Sequence, residues 1–180
     1  MFRNTNVTFG SVSKLFHWVT VGLFCYLFYL ALTMVGMESN QEKWDLYAEH
    51  KQFGVLLGII VLMRIMWKLI NETPQQQAGT EAWKIFLAKI THFALYVIMF
   101  GFPLSGMVMS MAGNHPIVFF GYTIPNIIGE NKAYGNLAHN VHSALEYITY
   151  GVVGFHVIGA LYHHFIVKDN VLKRMLPFGK

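Results

Sequence analysis

The chain has 180 residues, 54% of them hydrophobic and only 12% charged, with a formal net charge of +4 and a mean hydropathy of +0.42. A soluble domain carries roughly 25% charged residues, so this chain cannot coat a water-exposed surface; an ordinary cytosolic enzyme, a disordered chain and a nucleic-acid module are excluded. A single cysteine, Cys25, excludes a disulfide framework, a cysteine-based zinc site and a C-x-x-C-H haem attachment.

Four apolar runs follow one another: Leu15 to Met34, Phe53 to Ile70 (interrupted by Arg64 and Lys68), Ile90 to Met111, and Ala144 to Val167. At ~1.5 Å per residue each is long enough to cross a hydrocarbon core of ~30 Å. Backbone groups in hydrocarbon must be satisfied within the segment, and these runs are too continuous for barrel strands. The expected fold is all-α, a four-helix transmembrane bundle with spans of about 15–35, 50–70, 90–111 and 138–167. One integral-membrane domain over 1–180 is expected, without internal repeats. The first run exceeds a signal-peptide core of ~7–15 residues and no A-x-A site follows, so it is read as a retained span.

Charge orients the bundle. Arg3, Lys14, Arg64, Lys68, Lys84, Lys89, Lys168, Lys173, Arg174 and Lys180, ten of the thirteen basic residues, fall on one side. Lys43, Lys51 and Lys132 fall on the other, with Glu38, Glu42, Asp45, Glu49 and Glu130. The positive-inside rule then makes both termini and the loop around Asn71–Glu81 cytoplasmic, with the loops around Gly36–Glu49 and Gly113–Gly135 facing outward. The basic balance is topology, with some contact to anionic lipid.

Nine histidines in so apolar a chain need a reason, because polar side chains in hydrocarbon cost free energy. His17 lies one turn into helix one on the cytoplasmic side; His50 and His142 open helices two and four on the outer side; His156 lies mid-way along helix four. From His142 to His156 the rotation is about 40° short of four turns, which puts both imidazoles on one face, ~21 Å apart along the axis. With Lys14 level with Lys68, His17 lies ~22 Å below His50. Four histidines at two matched depths suit two haems, one near each membrane surface, held by the pairs His50/His142 and His17/His156. The match requires helix four to project past the cytoplasmic surface.

Other readings stand beside this one. A lone membrane histidine also serves as a hydrogen-bond donor between helices. His163 competes with His156, but at ~31 Å below His142 it would place a haem among the headgroups. His163 and His164 are read at the cytoplasmic interface, where with Arg64 they could contact a propionate or quinone. His92 is read as structural or near such a group, and His115 and His139 as outer loop residues. Gly54 and Gly58 on helix two, and Gly151, Gly154 and Gly159 on helix four, leave room for a flat cofactor or for close helix packing.

The order and spacing of these features resemble the bacterial cytochrome b561 family over about Lys14 to Pro177. The matching features are His17-Trp18, His50-x-x-x-Gly54, Arg64, His92, Gly101-Phe-Pro103-Leu-Ser-Gly106, His142, His156, His163-His164 and Lys168-Asp169-Asn170. The resemblance implies a multi-pass protein of the bacterial inner membrane carrying two haem b, with His17, His50, His142 and His156 as axial ligands to iron. It also implies ubiquinone as one partner and, from members that oxidise superoxide, a superoxide:ubiquinone oxidoreductase. Lys51, next to His50, and Lys132, in the outer loop before His142, could steer an anion, against the acids Glu42, Asp45 and Glu49. Two alternatives stay open: a cytochrome b subunit relaying electrons between a partner hydrogenase or dehydrogenase and quinone, and a haem-free membrane metal carrier.

Overall fold

The computed structural model describes residues 1–75 and 79–177. Lys180 and the middle of the loop around Asn71–Glu81, both used in the charge assignment, lie outside the described residues. Helix α1 spans Ser11–Val35, α2 Gln41–Leu69, α3 Ala82–Ala112 and α4 Lys132–Tyr162, and two short strands, β1 (Ile117–Phe119) and β2 (Tyr122–Ile124), lie between α3 and α4. A π turn, His163–Val167, continues α4. All four helices are long and apolar enough to cross a membrane, and the fold is the expected all-α, four-helix transmembrane bundle.

The helices outrun their apolar runs. Helices α3 and α4 each have 31 residues, or ~46 Å, against a core of ~30 Å. His50 therefore does not open its helix but lies nine residues inside α2, and His142 lies ten inside α4. His139, expected in a loop, is an exposed residue of α4. The reason is capping. The Asn40 carboxamide oxygen accepts the Lys43 N–H at 2.9 Å and that of Asn131 accepts the Tyr134 N–H at 3.1 Å, so each helix starts well ahead of the hydrocarbon. Helix α2 also carries Glu42 in its first turn and Lys68 in its last, each favourable to the helix dipole. Ahead of α3, Glu81 accepts hydrogen bonds from Trp83 Nε1 and Lys84 Nζ, which hold its carboxyl below the usual range.

The exterior is apolar. Phe86, Phe93, Phe155 and Ile166 are 65–69% exposed, whereas the polar Thr20, Ser105, Ser110 and Thr149 are buried. Lipid solvates the outer face as well as a neighbouring helix would, so small and polar residues are the ones that gain from facing inward.

The chain divides into two compact units, and every helix contributes to both. One consists of Thr20–Val61 and Met99–Glu146. Its core is Leu27, Leu30, Met34, Leu57, Val61, Met99, Met111, Ala112, Ile117 and Ala138. The Tyr26 hydroxyl joins α1 to α2 here by donating to Glu49. In α3, a Cβ on Gly106 would stand 3.4 Å from the His142 ring, and one on Gly58 of α2 would stand 3.1 Å from Pro103. The other unit consists of Met1–Val19, Leu62–Ile98 and Tyr147–Lys180. There the first ten residues fold back on α1: Asn4 Oδ1 accepts the Gly10 N–H and the Ser13 hydroxyl, and the Met1 carbonyl accepts the Ser11 N–H. A side chain at Gly10 would strike the backbone of Phe2 and Arg3, so this start requires glycine.

Candidate functional site

In the first unit α2 presents His50 and α4 presents His142, with ring centroids 6.4 Å apart and planes at 68°. The Phe102 ring lies edge-on against His142 at 5.0 Å. His142 Nδ1 is 2.9 Å from Ser105 Oγ. His50 Nδ1 is buried, next to the backbone of Leu27, without a hydrogen bond of ordinary geometry among the described residues.

In the second unit α1 presents His17 and α4 presents His156, with centroids 6.2 Å apart and planes at 59°. His92 of α3 also faces His156, at 5.4 Å. Arg64 of α2 approaches His17 Nδ1 at 3.3 Å. The guanidinium and the Lys68 ammonium share the Tyr96 ring, at 5.5 and 4.5 Å from its centroid, in a cation–π arrangement. Guanidinium only donates, so in this contact His17 Nδ1 accepts and the ring proton sits on Nε2. A metal at Nε2 requires the proton on Nδ1 instead, so metal loading and this hydrogen bond exclude each other.

The remaining predicted residues are placed individually. His163 Nδ1 pairs with Asp169 Oδ2 at 2.5 Å, and the Asp169 N–H bonds back to the His163 carbonyl across the π turn. His164 stacks edge-on against Phe165 at 4.8 Å, and its Nδ1 is buried with no partner among the described residues. Neither contact involves Arg64, with which the sequence reading grouped them. Lys51 Nζ donates to the Pro116 carbonyl at 2.7 Å, which ties it to the outer loop, whereas Lys132 is exposed at the first residue of α4. Sequence reasoning read His92 as structural or near a bound group without placing it beside His156, and it missed Ser105. His92 stands three residues after Lys89, as His17 stands three after Lys14, and that shared offset was the available signal. Ser105 gave no signal beyond its place in the Gly101–Gly106 stretch.

What the pairs could hold follows from donor count. Among the described residues no three His, Cys, Asp or Glu side chains gather as a bare metal ion needs. Two facing imidazoles suit a metal that brings its own equatorial ligands. With nitrogen at ~2.0–2.1 Å on either side of one metal, ring centroids stand ~6.3 Å apart. The separations of 6.4 and 6.2 Å fit that value; the 5.4 Å between His92 and His156 does not.

Comparison with known proteins gives a consistent picture. A family model described as prokaryotic cytochrome b561 matches residues 8–178. The chain is similar to cytochrome b561 homolog 2 of Escherichia coli (strain K12), with 33% identity over 97% of this chain and 94% of the relative. It is also similar to cytochrome b561 homolog 1 of the same organism, at 27% over 96% and 98%. A protein of Yersinia pestis named "Probable superoxide oxidase CybB" is 24% identical over 89% of this chain and 91% of its own.

Proposed function

The chain belongs to the prokaryotic cytochrome b561 family, and from that premise we propose that it is a di-haem b protein of the bacterial inner membrane that oxidises superoxide at the periplasmic face and reduces ubiquinone. Membership implies b-type haem, an oxidoreductase type of activity and a multi-pass bacterial membrane protein that transfers electrons. The finer assignments are the proposal: one membrane domain over 1–180, both termini cytoplasmic, and two haems. The observation that carries it is the pair of imidazole separations, 6.4 Å for His50/His142 and 6.2 Å for His17/His156.

When bound, haem b supplies a reversible one-electron carrier whose potential the axial ligands and their surroundings set. His17, His50, His142 and His156 would hold the two groups in pairs, and a group held from the protein on both sides would favour outer-sphere electron transfer over binding of oxygen. Were His17 to hold the group through Nε2, its Nδ1 would carry the ring proton and Arg64 would turn from that nitrogen, its fork geometry then suiting a carboxylate. Lys132, exposed, provides the freer positive charge for drawing in a small anion; Lys51 contributes charge while held by Pro116. His163 is committed to Asp169, so His164 is the stronger candidate for a quinone carbonyl. The net reaction balances: two superoxide anions each lose one electron and leave as oxygen, and ubiquinone takes two electrons and two protons to become ubiquinol. The reading of superoxide as donor draws on the similarity to the Yersinia pestis protein named as a probable superoxide oxidase.

Purified holoprotein exposed to enzymatically generated superoxide tests this. Haem b absorbance is expected to shift to the reduced form, superoxide dismutase to prevent the shift, and added ubiquinone to reverse it. Raising ionic strength, or Lys132→Glu, should slow reduction several-fold by weakening electrostatic attraction. Haem that stays oxidised under superoxide yet is reduced by a co-purifying redox subunit would replace this reading with that of a partner-bound relay.

A further inference from the structure

Ser105 is buried in α3, 6% exposed. Its Oγ lies 2.6 Å from the Gly101 carbonyl, 3.1 Å from the Phe102 carbonyl and 2.9 Å from His142 Nδ1. A hydroxyl has one proton and two lone pairs. Both carbonyls can only accept, and the short contact to Gly101 has no other proton to hold it. The hydroxyl proton therefore points into the helix's own preceding turn, a common arrangement for serine within a helix. Toward His142 the hydroxyl is then the acceptor and Nδ1–H the donor, so the neutral ring is left with a bare Nε2. Gly106, one residue on, gives α3 room to approach the ring, since a Cβ there would meet His142 Cε1 at 3.4 Å.

We infer that Ser105 is the positioning residue of His142: it fixes the ring's orientation and tautomer for metal ligation through Nε2, and by accepting the Nδ1 proton it makes the imidazole a stronger donor. This rests on the proposed ligation by His142. Partners of this kind commonly orient metal-bound histidines, and their loss lowers metal affinity ~10–100-fold. A stronger donor favours the ferric state, so the hydroxyl also lowers the reduction potential at this pair. The pair His17/His156 has a different neighbour on its α1 ligand, the Arg64 guanidinium, so Ser105 acts on one haem and not on both.

The test uses purified holoprotein, redox titration of its haem absorbance, and the rate of haem loss to a haem-scavenging protein. In Ser105→Ala one of two midpoints should rise and one haem per chain should be lost ~10–100-fold faster, the other component being unmoved. Ser105→Thr, which keeps the hydroxyl, should restore both, and Ser105→Cys, a weaker acceptor, should fall between. Midpoints and loss rates in Ser105→Ala equal to the unmodified protein, or a threonine variant no better than alanine, would overturn the inference. His142→Ala separates the two levels. If it keeps both haems the ligation itself fails; if it loses one while Ser105→Ala changes nothing, only the role of Ser105 fails.

Discussion

His17 and His92 compete for the same neighbour, His156, at 6.2 and 5.4 Å. Only the larger separation leaves space for a metal between imidazoles at ordinary bond lengths, so on the proposed ligation His17 is the ligand and His92 lines the site. Removing an axial ligand should cost that haem, whereas removing a lining residue should cost at most a shift in its spectrum or potential. His156→Ala is therefore expected to retain one haem per chain and His92→Ala two, measured as haem extracted from equal amounts of purified protein; a His92→Ala variant with a single haem would reverse the assignment. The offset of His17 to Lys14 led to its pairing with His156, whose ring the structure sets beside it, but the same arithmetic applied to Lys89 would have brought His92 into the group. Contacts below that level were not legible. Nothing in the order of residues shows that Lys51 spends its ammonium on the Pro116 carbonyl or that Ser105 meets His142, because both depend on how distant segments approach.

Helices were legible by existence and not by extent. An apolar run marks the stretch that lipid demands, while Asn40 and Asn131 mark where the backbone begins to be satisfied, and the two differ by many residues. The hairpin β1–β2 was not foreseen. It pairs Ile117 with Ile124, Val118 with Thr123 and Phe119 with Tyr122, and turns on Phe120 and Gly121, whose φ values are 45° and 88°. Two positive φ angles make a type I′ turn, for which Asn-Gly is the familiar signal; a phenylalanine in that position is strained and conceals it. The strain is held by the residues that follow His50. Gln52 Oε1 accepts the Phe120 N–H at 3.2 Å, Phe53 packs edge-on against Phe120 at 6.0 Å, and Lys51 bonds to Pro116 just ahead of β1. Gln52→Ala should loosen this element by ~1 kcal/mol, seen as faster amide hydrogen exchange over residues 117–124 with haem content unchanged. Exchange no faster than in the unmodified protein would show that the strands hold without this latch.

Across the whole molecule, the scarcity of charge and the abundance of histidine have one explanation. A surface this apolar suits lipid, and on the proposed topology the few cations sort by side. Among the described residues the fully buried polar side chains are small hydroxyl residues, and each compact unit holds a histidine pair at the wider spacing, His50/His142 in one and His17/His156 in the other. Neither pair has enough protein donors for a bare ion, which is why a cofactor bringing its own equatorial ligands suits both. The most direct measurement of that claim is a reduced-minus-oxidised visible spectrum of the purified protein, with haem quantified per chain. Two haem b per chain are expected, falling to one in either His50→Ala or His156→Ala; a protein that carries one haem or none, or keeps two in both variants, would contradict the account.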